Sequence, residues 1–341
     1  NPFTGRPAVV LAVKGSGGDL GSIRNEGFAL LYMERLNQLK SVYRGEEHED
    51  EMVAYYPSSS FANNTVPASI DTPLHAFLPF AHIDHLHPDW AIAIAASANG
   101  RQKLEEFNQR FGHRIAWLPW QRPGFELGLM LERAVAETPG CDGILLGSHG
   151  LFTWGETHRE CYLNSLQVID EMGQFVLEHQ DELGDRIFGG ELHPQREDAQ
   201  KVAEAIFPYL RGKVATTRRS IAHYDASEDV LRFANSANAP ALAALGTSCP
   251  DHFIRTRIAP LYVDWNPAGS IEDLRGRVDA GLQQYCKKYS SYYEANADSE
   301  SPKLRDANPS VVLVPVWACL PSARTKKKRA SPANFTPMRF V

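Results

Sequence analysis

The sequence of 341 residues has little cysteine and no long apolar segment. Its five cysteines, at positions 141, 161, 249, 286 and 319, are scattered and form no C-x-x-C pair. This pattern excludes a disulfide-dense secreted domain and a zinc cage of thiolates, and it suits the reducing cytoplasm. No apolar run approaches the roughly 20 residues that cross a bilayer, which excludes a transmembrane protein. A content of 43% hydrophobic and 22% charged residues is ordinary for a folded globular chain.

Acidic residues are missing from the last 26 positions. Residues 316–341 hold six Lys and Arg and no Asp or Glu. Because the whole chain has 35 basic and 41 acidic residues, residues 1–315 carry a net charge of −12 rather than the −6 of the full chain. A basic arm on an acidic body is one pattern found in nucleic-acid-binding proteins.

The order of the predicted elements is typical of a mixed α/β protein. We expect a layered α/β/α domain over residues 1–188 and a second, smaller α/β region over 189–315. Apolar spacing in the first part predicts strands at 8–13, 115–118 and 143–147, and helices at 28–39, at 125–137 and behind the capping box Thr157-x-x-Glu160. In the second region it predicts a helix at 196–207 that ends before Pro208, a helix at 271–294, and a strand beginning at 311–315.

The segment from His82 to Asp89 concentrates imidazole and carboxylate groups. Residues two apart in an extended segment point to the same side, so His85 and His87 are able to converge on one point. His149 follows the strand at 143–147 and stands beside glycines, where the backbone allows close approach. Together they suit a divalent metal with imidazole ligands. The alternative is that His149 packs in the core while residues 82–87 form an exposed polar loop.

Asp71 stands two residues before Pro73 and at the start of an apolar run typical of a helix. Its commonest role at such a place is the N-cap of the helix. The functional alternative is a carboxylate aimed at the metal, which removes a proton from a bound substrate. Ser69, in the same motif, is a candidate substrate-binding residue. The residues alone leave both roles of Asp71 open.

A glycine-rich turn from Gly15 to Gly21 follows the first predicted strand. A dinucleotide fingerprint that starts at Gly15 needs glycine at position 20, where the sequence has leucine, so the turn does not predict nucleotide binding. Small residues expose backbone N–H groups, which makes Ser16, Gly17 and Gly18 candidates for holding a phosphate, with positive charge from Lys14. A plain left-handed turn is an equal alternative.

Several spaced motifs resemble the class II aldolase and adducin family. They are SIDTPLH (69–75), H-x-H followed by proline (85–88) and GILLGSHGLFTWGET (143–157). Three further motifs resemble its bifunctional branch, in which an L-rhamnulose-1-phosphate aldolase domain precedes a short-chain dehydrogenase domain. These are VKGSGGDLGSI (13–23), PFAHIDHLHPD (79–89) and PDHFIRTR (250–257), and the resemblance covers residues 1 to about 315.

The resemblance implies a function and roles for the candidate residues. His85, His87 and His149 fall on the family's metal-binding histidines, with zinc as the implied ion, and Asp71 falls on its catalytic acid, which is usually glutamate. His75 keeps the family's histidine four residues later. The implied reaction is cleavage of a ketose 1-phosphate, L-rhamnulose 1-phosphate above all, to dihydroxyacetone phosphate and an aldehyde. A cytoplasmic homo-oligomer, a tetramer in the family, is also implied.

Some partners are not expected. The dehydrogenase part and the family's Gly-Gly-Asn phosphate loop are absent from this sequence, so we expect no NAD, and phosphate binding by this chain alone is open. Neither nucleic acid nor a membrane is an expected partner. Two other functions remain: a non-catalytic adducin-type interaction module, which the three retained histidines disfavour, and a pentulose-phosphate 4-epimerase on the same fold.

The basic tail also has an explanation by resemblance. After residues 311–315 the bifunctional family continues roughly as GVGMFSFGK, whereas this chain continues as VWACLPSARTKKKR. If the family's sequence is written in plausible codons, a shift of the reading frame by one base gives segments of the sequence of this chain. We therefore interpret residues 316–341 as an out-of-frame translation that is disordered and is not a nucleic-acid arm.

Overall fold

The chain contains two compact units of helices and strands, which confirms the mixed α/β class. One unit comprises residues 1–91 and 98–173, and the other comprises residues 92–97 and 174–341, so the first ends earlier than the predicted boundary at residue 188. None of the helices among the described residues has the length and apolar character of a membrane span. The computed structural model describes residues 1, 4–194, 196–216, 221–299, 301–304 and 306–322.

The first part of the chain, up to residue 183, alternates strands and helices. Its elements in chain order are β1 (Val10–Lys14), β2 (Phe28–Tyr32), α1 (Met33–Gln38), α2 (Glu49–Tyr55), α3 (Thr72–Ala76), β3 (His82–Leu86), α4 (Asp89–Ala95), α5 (Gly100–Phe111), β4 (Ile115–Leu118), α6 (Phe125–Glu137), β5 (Gly143–Leu146), β6 (Leu151–Gly155) and α7 (His158–Leu183). The predicted strands at 115–118 and 143–147 and the predicted helix at 125–137 are confirmed.

The prediction of a helix over residues 28–39 is wrong for its first five positions. These residues form β2, which pairs antiparallel with β1 so that Val10 lies opposite Tyr32. The alternate residues Ala29 and Leu31 are buried, as expected for a strand with one covered face. The apolar run 28–32 satisfies both helical and strand spacing, and pairing with β1 decides for the strand.

Four strands form the central sheet of the first unit in the order β3-β6-β5-β4. β6 pairs antiparallel with both neighbours, whereas β5 and β4 are parallel. Phe152 and Trp154 of β6 pack with Leu131 in the core that contains α3 and α6. Between them, Thr153 reaches Ser165 of α7, with 2.7 Å between the hydroxyl oxygens. Because neighbouring residues of a strand point to opposite faces, helices cover both sides of the sheet, as predicted for an α/β/α arrangement.

The predicted capping box is present where α7 begins. The backbone N–H of Glu160 donates to Thr157 Oγ1 at 3.2 Å. The Glu160 carboxylate in turn accepts the N–H of Glu156 at 3.0 Å. Both bonds satisfy backbone donors that a helix start leaves without helical partners.

The second unit contains a four-stranded sheet in the order β7-β10-β9-β8. Its remaining elements in chain order are α8 (Ala199–Val214), β7 (Ile221–Asp225), α9 (Glu228–Ala234), α10 (Ala239–Ala244), α11 (Pro250–Thr256), β8 (Leu261–Tyr262), α12 (Ile271–Asn296), β9 (Val312–Val314) and β10 (Trp317–Ser322). The helix predicted at 271–294 and the strand predicted at 311–315 are confirmed as α12 and β9.

The prediction that Pro208 stops a helix is wrong, because α8 continues through it to Val214. Proline inside a helix costs about 3 kcal/mol. Beyond it, Leu210 and Val214 are buried in the core of the second unit together with Ile206. Burial of one such side chain stabilises by about 1.5–3 kcal/mol, so continuing the helix outweighs the cost of the proline.

The first residues of the basic tail are ordered, contrary to the expectation that residues 316–341 are disordered. β10 lies between β7 and β9 and pairs antiparallel with both. Val316 and Trp317 are fully buried in the core of the second unit, which accounts for the order of this part. Residues 323–341 lie outside the described residues, and the out-of-frame origin of residues 316–341 stays a prediction.

Val316 generates a test of backbone strain. It lies in the tight turn between β9 and β10 with a φ of 88°, a left-handed conformation that β-branched residues rarely adopt. Val314 in β9 is equally buried. Such strain costs about 1–3 kcal/mol. Glycine adopts this conformation freely, so it relieves the strain at position 316, whereas position 314 has no such strain to relieve. In urea denaturation, Val316→Gly and Val314→Gly should both lower the free energy of unfolding. The loss in Val316→Gly should be smaller than that in Val314→Gly by at least about 1 kcal/mol. Equal losses would contradict the strained turn.

Candidate metal centre

Two strand ends bring three histidines together. β3 and β6 pair antiparallel with His85 opposite Phe152 and Leu86 opposite Leu151. His87 follows the last residue of β3, and His149 lies two residues before β6 begins, so both flank the same end of the pair. The predicted convergence of His85 and His87 with a third imidazole from His149 is therefore present in the fold.

The turn between β5 and β6 fixes the position of His149. Its backbone N–H donates to the carbonyl of Leu146 at 3.1 Å, and Leu146 N–H donates to the carbonyl of Gly150 at 2.8 Å. Ser148, between them in the chain, has a φ of 51° in the left-handed region. Serine adopts this conformation at a cost, which is a feature of residues that hold functional sites in shape.

Gly150 is required by the neighbouring imidazole. A Cβ at this position would lie 2.4 Å from Cδ2 of His87 and 2.6 Å from the carbonyl oxygen of Leu86. Any side chain would therefore push the His87 ring away or separate the two strands. The sequence Gly147-Ser148-His149-Gly150 thus supplies one metal-binding side chain and leaves space for another.

One ring nitrogen from each of His85, His87 and His149 lies within 4.8 Å of the others. Nε2 of His85 and Nε2 of His87 are 2.8 Å apart. The ring centroids of His149 lie 4.9 Å from His85 and 5.0 Å from His87. Among the residues that the structure describes, this is the only group of three or more His, Cys, Asp or Glu side chains with the spacing of metal ligands.

Burial keeps His85 and the neighbouring His75 neutral. The pKa of His85 lies well below its usual value, mainly because of burial and then because of the neighbouring His87 and His149. Burial also lowers the pKa of His75 to about 4, against an opposing effect of the Asp84 charge. Neutral imidazole is the form that binds a metal. In addition, Nδ1 of His85 is buried without a hydrogen-bond partner among the described residues. The donor set fits a divalent ion with nitrogen ligands.

Asp71 lies at the N-cap position of α3, but its side chain makes no capping hydrogen bond. Its Oδ2 accepts the hydroxyl of Ser69 at 3.2 Å, and its backbone N–H donates to the same hydroxyl oxygen at 3.2 Å. One turn later, α3 carries His75, whose ring centroid is 6.4 Å from that of His85. The helix therefore connects Asp71 and Ser69 to the neighbourhood of the three histidines.

The glycine-rich turn is held by its own segment and by residues 66–67. Ser16 N–H donates to the carbonyl of Pro67 at 3.1 Å, and a Cβ on Gly15 would lie 2.5 Å from a methyl group of Val66. The Lys14 ammonium donates to the carbonyls of Gly15 and Gly18 at 3.2 and 3.0 Å. Ser16, Gly17 and Gly18 are exposed, and Gly17 has a φ of 75°. These contacts bring the turn to the segment before Ser69, not to the histidine rings.

Sequence reasoning missed the partners of two acids of this unit, the half-buried Asp84 and the buried Glu49. Asp84 accepts the hydroxyl of Ser165, which lies 81 positions away in the chain. Glu49 accepts the backbone N–H groups of Phe125 and Glu126 and so caps α6. Asp84 lies within the histidine-rich motif, but no local sequence pattern indicates its hydrogen-bond partner on α7. Glu49 gave no signal, because it falls in a charged segment typical of a surface loop.

Comparison with known proteins identifies the family. The family model described as Class II Aldolase and Adducin N-terminal domain matches residues 3–172, and the model described as Aldolase class II, second domain, matches residues 201–337. Together they account for most of the sequence. The chain belongs to the class II aldolase family, as the motifs indicated.

Relatives differ in length and in the extent of similarity. A Bacillus subtilis (strain 168) protein named "Uncharacterized oxidoreductase YuxG" is 36% identical over 316 residues, which are 92% of this chain and 45% of the relative. The chain thus spans less than half the length of that relative. A class II aldolase domain from Thermoplasma acidophilum is 29% identical over 49% of this chain and 75% of its own, with a TM-score of 0.44. An L-fuculose 1-phosphate aldolase is 13% identical over 58% of this chain and 80% of its own, with a TM-score of 0.33.

Gly150→Ala tests the packing of the centre. The added methyl group should displace the His87 ring or part the strands, so zinc affinity should fall about tenfold or more and stability by about 1–3 kcal/mol. Competition with a chromogenic chelator measures the affinity. Gly21→Ala is the control, since its Cβ would meet only the carboxylate oxygens of Asp19, at the ordinary contact distances of 3.7 and 3.9 Å. Unchanged zinc affinity in folded Gly150→Ala would contradict the close approach described for His87.

Proposed function

We propose that this chain is a metal-dependent aldolase that cleaves a ketose 1-phosphate into dihydroxyacetone phosphate and an aldehyde, with L-rhamnulose 1-phosphate as the substrate. The observation that carries the proposal is the cluster of three imidazoles with the spacing of metal ligands in a class II aldolase domain. An interaction module of the adducin type has no use for such a cluster. Retention of His85, His87 and His149 therefore favours catalysis.

His85, His87 and His149 would hold the ion, which we propose is zinc. Catalytic zinc sites commonly have three protein ligands and keep a further position open for substrate. When bound, such an ion supplies Lewis-acid polarisation of the substrate oxygens. The low pKa of His85 keeps its ring unprotonated near neutral pH, so the ion need not displace a proton there.

Asp71 is the proposed acid–base residue. Cleavage of a ketose 1-phosphate between C3 and C4 requires that the C4 hydroxyl lose a proton and that C3 gain one. A carboxylate serves both steps, accepting the first proton and returning one to C3. The hydroxyl of Ser69 donates to Asp71, and the partial exposure of Asp71 leaves it accessible.

Lys14, Ser16, Gly17, Gly18 and Ser69 are the proposed contacts of the substrate and its phosphate. Turns with a left-handed residue are typical of anion-binding concavities, and Gly17 supplies that conformation within the exposed residues 16–18. The Lys14 ammonium, bound to two carbonyls of the turn, adds positive charge. The cytoplasmic location, the tetramer and the absence of NAD binding stay predictions.

His149→Ala tests the metal dependence. Loss of one of three ligands should lower zinc affinity on the order of 100-fold or more and abolish cleavage. The stability of the metal-free protein should fall only modestly. Metal analysis after dialysis and a coupled assay for dihydroxyacetone phosphate provide the readouts. His158→Ala is the control, because that histidine is exposed at the start of α7. Full activity of His149→Ala would refute the proposed centre.

Asp71→Asn tests the acid–base role. The amide cannot take up the proton, so cleavage should slow by about 10²–10⁴-fold, whereas zinc binding should stay within about threefold of wild type. An unchanged rate in Asp71→Asn would contradict the assignment of Asp71.

The same assay, extended to pentulose phosphates, separates the two catalytic alternatives. Released dihydroxyacetone phosphate indicates an aldolase, whereas an epimer without release indicates the 4-epimerase.

A further inference from the structure

A chain of hydrogen bonds that joins the half-buried Asp84 to two buried hydroxyl groups lies next to the histidine cluster. Thr153 Oγ1 and Ser165 Oγ are 2.7 Å apart, and Ser165 Oγ lies 2.6 Å from Oδ2 of Asp84. Thr153 and Ser165 are each only 1% exposed. The three residues connect β6, α7 and β3, which include both strands that flank the metal centre.

The chemistry of the groups fixes the direction of the chain. An ionised carboxylate only accepts hydrogen bonds, so Ser165 donates to Asp84 and Thr153 donates to Ser165. The carbonyl oxygen of Cys161, 2.9 Å from Ser165 Oγ, competes for the same proton. A charged acceptor forms the stronger bond, which favours Asp84. Each member therefore has a defined partner, as buried polar networks require.

The network acts on the register of the two strands. Asp84 lies directly opposite Thr153, and the next pair along the strands is His85 with Phe152. Because side chains alternate, Asp84 and Thr153 point towards α7 while His85 and Phe152 point towards α3. A slip of one residue would turn His85 to the wrong face of the sheet. Ser165 binds both members of the Asp84–Thr153 pair and so opposes such a slip.

We propose that Asp84 and Ser165 are positioning residues of the metal centre. By fixing β3 against β6 they set the distances from His85 and His87, at the end of β3, to His149, in the turn before β6. Asp84 is thus not a fourth ligand, since its carboxylate is bound to Ser165 on the opposite face of the strand. This role rests on the proposed metal-dependent function, and it explains the acid inside the histidine-rich motif.

Zinc affinity of purified variants tests the proposal. Asp84→Ala and Ser165→Ala should each weaken zinc binding about tenfold or more, which is the usual effect of removing groups that support metal ligands. Asp84→Asn should stay within about threefold of wild type, because its amide oxygen still accepts from Ser165. Competition with a chromogenic chelator measures the affinities, and circular dichroism establishes that each variant is folded.

Asn164→Ala is the matched control. Asn164 is the neighbour of Ser165 on α7 and donates to the carbonyl of Trp154 at 2.9 Å, so it ties α7 to β6 but not to β3. Its replacement should lower stability and leave zinc affinity unchanged. A merely structural role for Asp84 and Ser165 predicts that all three alanine variants bind zinc as wild type does. That result, or an Asp84→Asn variant as weak as Asp84→Ala, would overturn the proposal.

Hydrogen exchange of the metal-free proteins gives a second readout that needs no ion. Amides of β3 and β6 should lose protection in Asp84→Ala and Ser165→Ala, but not in Asn164→Ala. Equal protection in all variants would overturn the positioning role. If the wild-type protein takes up no zinc, the proposed function fails, and the exchange data still decide whether Asp84 and Ser165 hold the two strands together.

Discussion

The antiparallel pairing of β3 with β6 is the constraint on which the candidate centre depends. One strand ends in His85-Leu86-His87, and the other follows a short turn that contains His149. Since successive residues of a strand are about 3.3 Å apart and alternate in direction, a slip of one residue would separate the ligands entirely. The space at Gly150 and the left-handed Ser148 then give the cluster its final shape. The pairing thus brings two histidines of the β3 segment to the turn that contains His149, although that turn lies much later in the chain.

The electrostatics of the histidine cluster also favour metal binding. Three imidazoles with centroids about 5 Å apart repel one another when protonated, and burial adds to the cost of charging them. Burial therefore favours the neutral form of His85, which is the form that binds a cation. His75 contributes another neutral ring beside His85, with a pKa of about 4. Asp84 brings negative charge to the strand, but Ser165 holds it on the face away from the histidines.

Local patterns in the sequence predicted part of the fold and of the candidate site. The helix at 125–137 and the strand at 143–147 have clear apolar periodicity, and the H-x-H spacing predicted the convergence of His85 and His87. The errors arose where tertiary contacts decide. Residues 28–32 form a strand because β1 is available as a partner, and α8 continues past Pro208 because its apolar face is buried. The bond from Ser165 to Asp84 joins residues too far apart in the chain for any local pattern to indicate.

Function depends on whether the three imidazoles bind one ion in a single shared site. Zinc-edge X-ray absorption of the purified, zinc-loaded protein measures this directly. The proposed centre predicts one zinc per chain with three imidazole nitrogens at about 2.0 Å and the remaining coordination from oxygen. Fewer than three imidazoles in the first coordination shell, or sulfur ligands, would contradict a site formed by His85, His87 and His149.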